Sequence, residues 1–227
     1  MSEISKSIVQ SVDFISQVYT ECNALSQILR EKLSELINNE DVAKNHAVDD
    51  TTRNAWINAY QEDDSGGLYH SYASSLPLLT RKSKQENIAH LFFQISLAGD
   101  GTPSEAAVIH IGLWAHAISF SDDYYVGFPL HNKDEMPPKL IDDTLMMWTY
   151  DGDNMESTEW LYSIDLCALN TPDDIETKII NPVKHLLLTV EPTPKDEFHA
   201  WNLKLSGLLK YVPIEGDPGL FSVSLCE

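Results

Sequence analysis

Apolar and polar residues alternate from Ile88 to Ala98 and again from Ala106 to Phe120, on either side of Gly99-Asp100-Gly101-Thr102-Pro103-Ser104-Glu105. Successive side chains on a strand point to opposite faces, so this pattern predicts two strands joined by a turn. Leu91, Phe93, Ile95 and Leu97 share one face of the first strand, and Ala107, Ile109, Ile111 and Leu113 share one face of the second. His90, Phe92, Gln94 and Ser96, and then Val108, His110, Gly112, Trp114 and His116, form mixed faces. Pairing Ala98 with Ala106 superposes the mixed faces, setting His110 opposite Gln94 and Trp114 opposite His90. A slip of one residue would turn every apolar side chain outward, so the alternation itself selects this register.

The period changes at the N-terminus. Ile4, Ile8, Val12, Ile15, Val18, Cys22, Leu25, Leu29, Leu33 and Leu36 recur at steps of three and four, with no Gly or Pro between them. This is an amphipathic stripe, and it predicts one helix from about Ser2 to Ile37, roughly 50 Å long. That exceeds what a compact domain of this size needs. Ile15, Val18, Cys22, Leu25 and Leu29 follow coiled-coil spacing before the repeat slips at Leu33, so part of the stripe is expected to pack on another chain. The competing expectation is a helix laid across its own sheet, with a break near Cys22-Asn23.

Elsewhere the signals are shorter. Asp49-Asp50-Thr51-Thr52 offers helix caps for a second helix carrying Trp56, Ile57 and Tyr60, ended by Gly66-Gly67. Leu68 to Lys84 reads as irregular and polar-aromatic. Tyr124 to Phe128, Thr144 to Tyr150 and Trp160 to Leu166 read as strands, the last two joined through Asp151-Gly152-Asp153-Asn154. Thr171-Pro172-Asp173-Asp174 is a helix start, with proline at the first helical position and acids in the first turn. Pro182 falls inside that helix and either kinks or restarts it. Phe198, Trp201, Leu205, Leu208 and Val212 suggest another helix. Phe221 to Leu225 alternates as a last strand returning to the sheet. The expected architecture is α+β: an antiparallel sheet of five to six strands with helices on one face and a long N-terminal helix. Residues 1–227 are read as a single domain, with 1–48 a helical segment that mediates oligomerisation.

Composition narrows the function classes. The 227 residues carry a formal charge of −20, which argues against direct contact with nucleic acid or an anionic membrane and favours a basic protein partner. No apolar run is long enough to cross a bilayer, and Met1 to Lys6 lacks the plan of a secretory signal. Cys22, Cys167 and Cys226 are far apart and outside any CxxC, which suggests reduced thiols in the cytoplasm and no zinc site. No phosphate loop, nucleophile elbow, metal signature or cofactor motif is present; the acids from Asp151 to Glu159 lack the glycine of a calcium loop. The leading expectation is therefore an acidic cytoplasmic interaction or regulatory protein (an adaptor, inhibitor or immunity-type binder), forming a homodimer through its first helix. The alternative is a small-molecule binder or enzyme. It would use His90, His110 and Trp114 on the hairpin, with Arg81 or Lys84 holding an anionic ligand and imidazole serving as acid or base.

Overall fold

The structure, a computed structural model, describes residues 3–44, 46–47, 55–63, 66–80, 87–103, 106–131, 138–152, 155–188, 206–217 and 219–225. The expected long helix forms as α1 (Glu3–Ile37), unbroken at Cys22. A single turn, α2 (Glu40–Ala43), follows. The Asn39 side chain caps it by accepting the Asp41 N–H at 3.1 Å.

An antiparallel sheet of eight strands occupies the centre, larger than the five or six expected. Its strands are β1 (His46–Ala47), β2 (Ile57–Glu62), β3 (Tyr69–Thr80), β4 (Asn87–Ser96), β5 (Val108–Trp114), β7 (Lys139–Ile141), β8 (Leu145–Gly152) and β9 (Met155–Asp165). The order is β1-β3-β4-β5-β9-β8-β7, with β2 also pairing with β3. The central hairpin has the register set by its alternation: His90 faces Trp114 and Gln94 faces His110. Its second strand ends at Trp114 instead of running to Phe120, because the chain then leaves the sheet and the Ala115 N–H donates to the Glu159 carboxylate at 2.8 Å.

The two extra long strands correct the sequence reading. Ile57 and Tyr60 lie on β2 and not on a helix, and the stretch read as irregular contains the twelve-residue β3. On β3, Tyr72, Leu76 and Leu78 point to one core while Ser71, Ala73 and Ser75 are buried on the opposite face. Both faces mix polar and apolar residues, so hydrophobicity shows no period of two although the side chains alternate.

Each face of the sheet is covered. One carries α1 from Cys22 onward and a C-terminal helix, which bury Leu29, Leu33, Ile179 and Val183 on Phe93, Ile111, Trp160 and Tyr162. The C-terminal helix begins as expected, with Thr171 and Asp174 forming a reciprocal capping box ahead of α3 (Pro172–Ile175). A five-residue π segment (Glu176–Ile180) then leads into α4 (Asn181–Leu188). Pro182 therefore distorts the helix and does not restart it. Proline has no N–H to offer the carbonyl four residues back, that of Lys178, and the Tyr162 hydroxyl donates to that oxygen at 3.3 Å.

The second face lies under the loop from Ala115 to Pro129 and a separate three-stranded sheet, ordered β10 (Leu209–Pro213), β11 (Leu220–Leu225) and β6 (Leu130–His131). Ile118, Val126, Leu130, Tyr211 and Phe221 close over Phe92, Met146 and Leu161. Three expectations change here. The terminal strand forms but joins this small sheet. Val212, expected on a helix, lies on β10; positions 198–205 of that expected helix lie outside the described residues. Tyr124 to Phe128 turns instead of pairing as a strand, after a single bridge between Ser119 and Tyr124.

Candidate functional site

Two places concentrate chemistry or unusual surface. The first is the mixed face of the hairpin. His110 is fully buried. Its Nε2 lies 2.8 Å from the Gly101 carbonyl oxygen, which can only accept, so Nε2 carries the proton. Nδ1 is then an acceptor, 2.7 Å from Ser163 Oγ, and the Tyr211 hydroxyl lies 2.7 Å from Ser163 Oγ in turn. The hydrogen bonds run in one direction: Tyr211 to Ser163, Ser163 to His110, His110 to Gly101. Burial disfavours the imidazolium and holds His110 down to about 4, with the Gly101 hydrogen bond opposing. Burial also raises the Tyr211 phenol above its usual range.

Beside it, Gln94 acts as a clamp. Its carbonyl oxygen accepts the Val126 N–H at 2.9 Å, and its amide donates to the Val126 oxygen at 2.8 Å and to Ser96 Oγ at 2.9 Å. Ser71 donates to the same Ser96 oxygen at 3.1 Å, and Ser75 accepts the Ile118 N–H at 3.0 Å. This strip of neutral polar groups ties the covering loop to the sheet with its hydrogen bonds made.

A serine hydroxyl 2.7 Å from an imidazole resembles an activated nucleophile. Here Ser163, His110 and Tyr211 are all buried. Their contacts specify how the two sheets meet, and no substrate atom could reach Ser163 without separating them.

The other residues of the predicted ligand site are placed elsewhere on this face. His90 lies four residues along β4 from Gln94, roughly 13 Å by strand rise, so it and His110 do not converge. His90 Nδ1 is 3.1 Å from the Ala115 carbonyl, and burial lowers its pKa. Trp114 is spent on packing, its ring 4.7 Å from that of Phe92. His116 packs on Tyr124 at 4.8 Å. Arg81 and Lys84 lie outside the described residues. The described residues contain no group of three His, Cys, Asp or Glu side chains able to hold a metal. Sequence reasoning missed Ser163, Tyr211 and Gly101. The available signal was polar residues on strands that must be covered, since a buried imidazole needs partners.

The second place is the first half of α1. Of the residues proposed for contact between chains, Cys22 and Leu29 are buried in this chain's own core, and Val18 and Leu25 pack against it. Ile15 is half-buried. Upstream, every residue from Glu3 to Phe14 is exposed on all sides of the helix. Ile4 (72 %), Ile8 (59 %), Val12 (57 %) and Phe14 (67 %) stand in solvent. The stripe that seats the helix thus continues about 18 Å past the last contact with the body.

Tyr19 marks the junction. Its phenol oxygen accepts the Tyr69 N–H at 2.8 Å and lies 3.4 Å from the Tyr69 carbonyl, pinning α1 to the start of β3. Tyr69 packs on Tyr19 at 6.3 Å and on Tyr60 at 5.4 Å, making an exposed aromatic step where the arm leaves the body.

Compared with known proteins, the chain matches no family model, no curated sequence and no solved structure. No helix among the described residues is long and apolar enough to cross a membrane.

Proposed function

We propose that this is a protein-interaction protein of the adaptor or regulatory type, which works by offering the arm of α1 to another polypeptide. The observation that carries this reading is the apolar stripe from Ile4 to Val12, helical and continuous with the core through the half-buried Ile15 but uncovered. Fully burying an aliphatic or aromatic side chain is worth about 1.5–3 kcal/mol, so a partner covering this stripe gains substantially from a short contact. The stripe is not a membrane anchor in this reading, because its polar face lacks the run of lysines and arginines that holds an interfacial helix to anionic lipid. The free thiols of Cys22 and Cys167 fit a reducing compartment, the cytoplasm. The overall charge of −20 supports solubility and disfavours nucleic acid as the partner.

The test is face-specific photo-crosslinking in the host cell. A photoreactive residue at Ile8, on the stripe, should give discrete protein adducts. The same group at Lys6, on the polar side of the same turn, should give few. Equal yields from the two positions, or none from either, would end this reading.

A further inference from the structure

We infer that the occupant of the arm is a second copy of this chain, bound antiparallel, arm against arm; this rests on the docking reading above. Three features of the arm select that occupant. The first is charge. Between Glu3 and Val18 there are two acids (Glu3, Asp13) and one base (Lys6), a net of −1 in a chain of −20. A basic partner would find almost nothing to grip there, whereas two arms meet with little repulsion.

The second feature is where the free stripe ends. From Cys22 onward it is occupied by the chain's own sheet. A parallel pair would have to continue along that occupied side and would set two bodies of charge −20 next to each other. An antiparallel pair overlaps only the free arms and puts the bodies at opposite ends. They are then separated by roughly the arm length, about 20 Å, or more than two screening lengths at physiological salt.

The third feature is register. With the two-fold axis near Gln10, Ile4 of one copy meets Ile15 of the other and Ile8 meets Val12, so the stripe is complementary to its own reverse. The same overlap brings the first turn of each arm toward the half-buried Tyr19 and the exposed Tyr60 and Tyr69 of the other copy. Tyrosine is among the residues enriched at binding hot spots. An overlap of about four turns buries on the order of 1,000 Å² in total, at the small end of specific interfaces, so the dimer should be weak.

Sedimentation velocity across a concentration series tests the association, and disulfide trapping tests the direction. The wild type should move from monomer to dimer mass across the micromolar range. Ile8→Asp should remain monomeric with an unchanged melting temperature, since Ile8 stands exposed on the arm. In a background with Cys167 and Cys226 changed to Ser, Ile4→Cys and Ile15→Cys proteins should crosslink when mixed and not when kept apart. Crosslinking of Ile4→Cys with itself would overturn the antiparallel arrangement. A dimer that survives Ile8→Asp would overturn the arm as the interface. A wild type that stays monomeric at hundreds of micromolar would overturn the second copy as occupant. If that monomer still gives Ile8-specific adducts in cells, the docking reading survives and only the identity of the occupant falls.

Discussion

Acidification should unfold this protein partly through a single histidine. Neutral His110 donates from Nε2 to Gly101 and accepts at Nδ1 from Ser163, which accepts from Tyr211. Adding a proton at Nδ1 makes it a donor facing Ser163, so the Ser163 hydrogen must turn away, and one donor of the His110–Ser163–Tyr211 chain loses its acceptor. Burial holds His110 at about 4, against the ordinary histidine value of 6.5. Between those values the unfolded chain binds the proton and the native one does not. Stability from His110 is therefore complete above about pH 6.5 and declines as pH falls through the window. By about pH 4 roughly 3 kcal/mol has been lost, the 2.5-unit difference taken at 1.36 kcal/mol each.

Carboxylates titrate in the same range, so the measurement is a difference. Urea unfolding free energies are taken from pH 7.5 to 4 for the wild type and for His110→Gln, which keeps a donor and an acceptor but does not titrate. At neutral pH the variant is the less stable of the two. Its deficit should shrink by about 3 kcal/mol as the pH reaches 4, because the carboxylate contribution is common to both proteins. Parallel pH profiles would refute the reasoning and show that His110 is hydrated or protonated in the native state.

Gly112→Ala should be among the most damaging small substitutions: the added methyl would stand 2.7 Å from the Phe92 ring and 2.7 Å from the Trp160 carbonyl, which is fixed in the β5–β9 ladder. A loss of about 2–4 kcal/mol in urea unfolding is expected, and a variant as stable as the wild type would contradict the close approach of β4, β5 and β9. Tyr19→Phe keeps the ring against Tyr69 but deletes the oxygen that accepts its N–H at 2.8 Å. It should cost about 1 kcal/mol and speed amide exchange at Tyr69. Unchanged exchange there would mean that the phenol does not hold the helix to the sheet.

The two proposed sites differed in how far the sequence could reveal them. The pairing of His110 with Gln94 was readable because two clean alternations fix each other's register. The relay through Ser163 and Tyr211 was not, since those residues lie 53 and 101 positions further along the chain, and nothing local says that β9 will flank β5 or that β10 will cover both. For α1 the amphipathic period announced an unpartnered stripe, but the five residues chosen for it (Ile15, Val18, Cys22, Leu25 and Leu29) include two that are fully committed to the core. The period is the same on both sides of Tyr19, so the helix sequence alone cannot say where its cover stops.

Local periodicity was sufficient for the long helix, the central hairpin and its register, the strand segments 145–150 and 160–165 and the capped start at Thr171. In the helix and the central hairpin an apolar face alternates with a mixed one, and capping acts within a few residues. Tertiary structure decided the rest. Ile57–Glu62 and Tyr69–Thr80 became strands because their backbone groups pair with a neighbour, although buried serines had erased the period in the second. Leu208 and Val212 carry helical spacing, yet 209–213 is held extended by β11. The reach of the folded body, which meets α1 at Tyr69 far along the sequence, determines how much of the helix is covered. What remains beyond that reach is the arm.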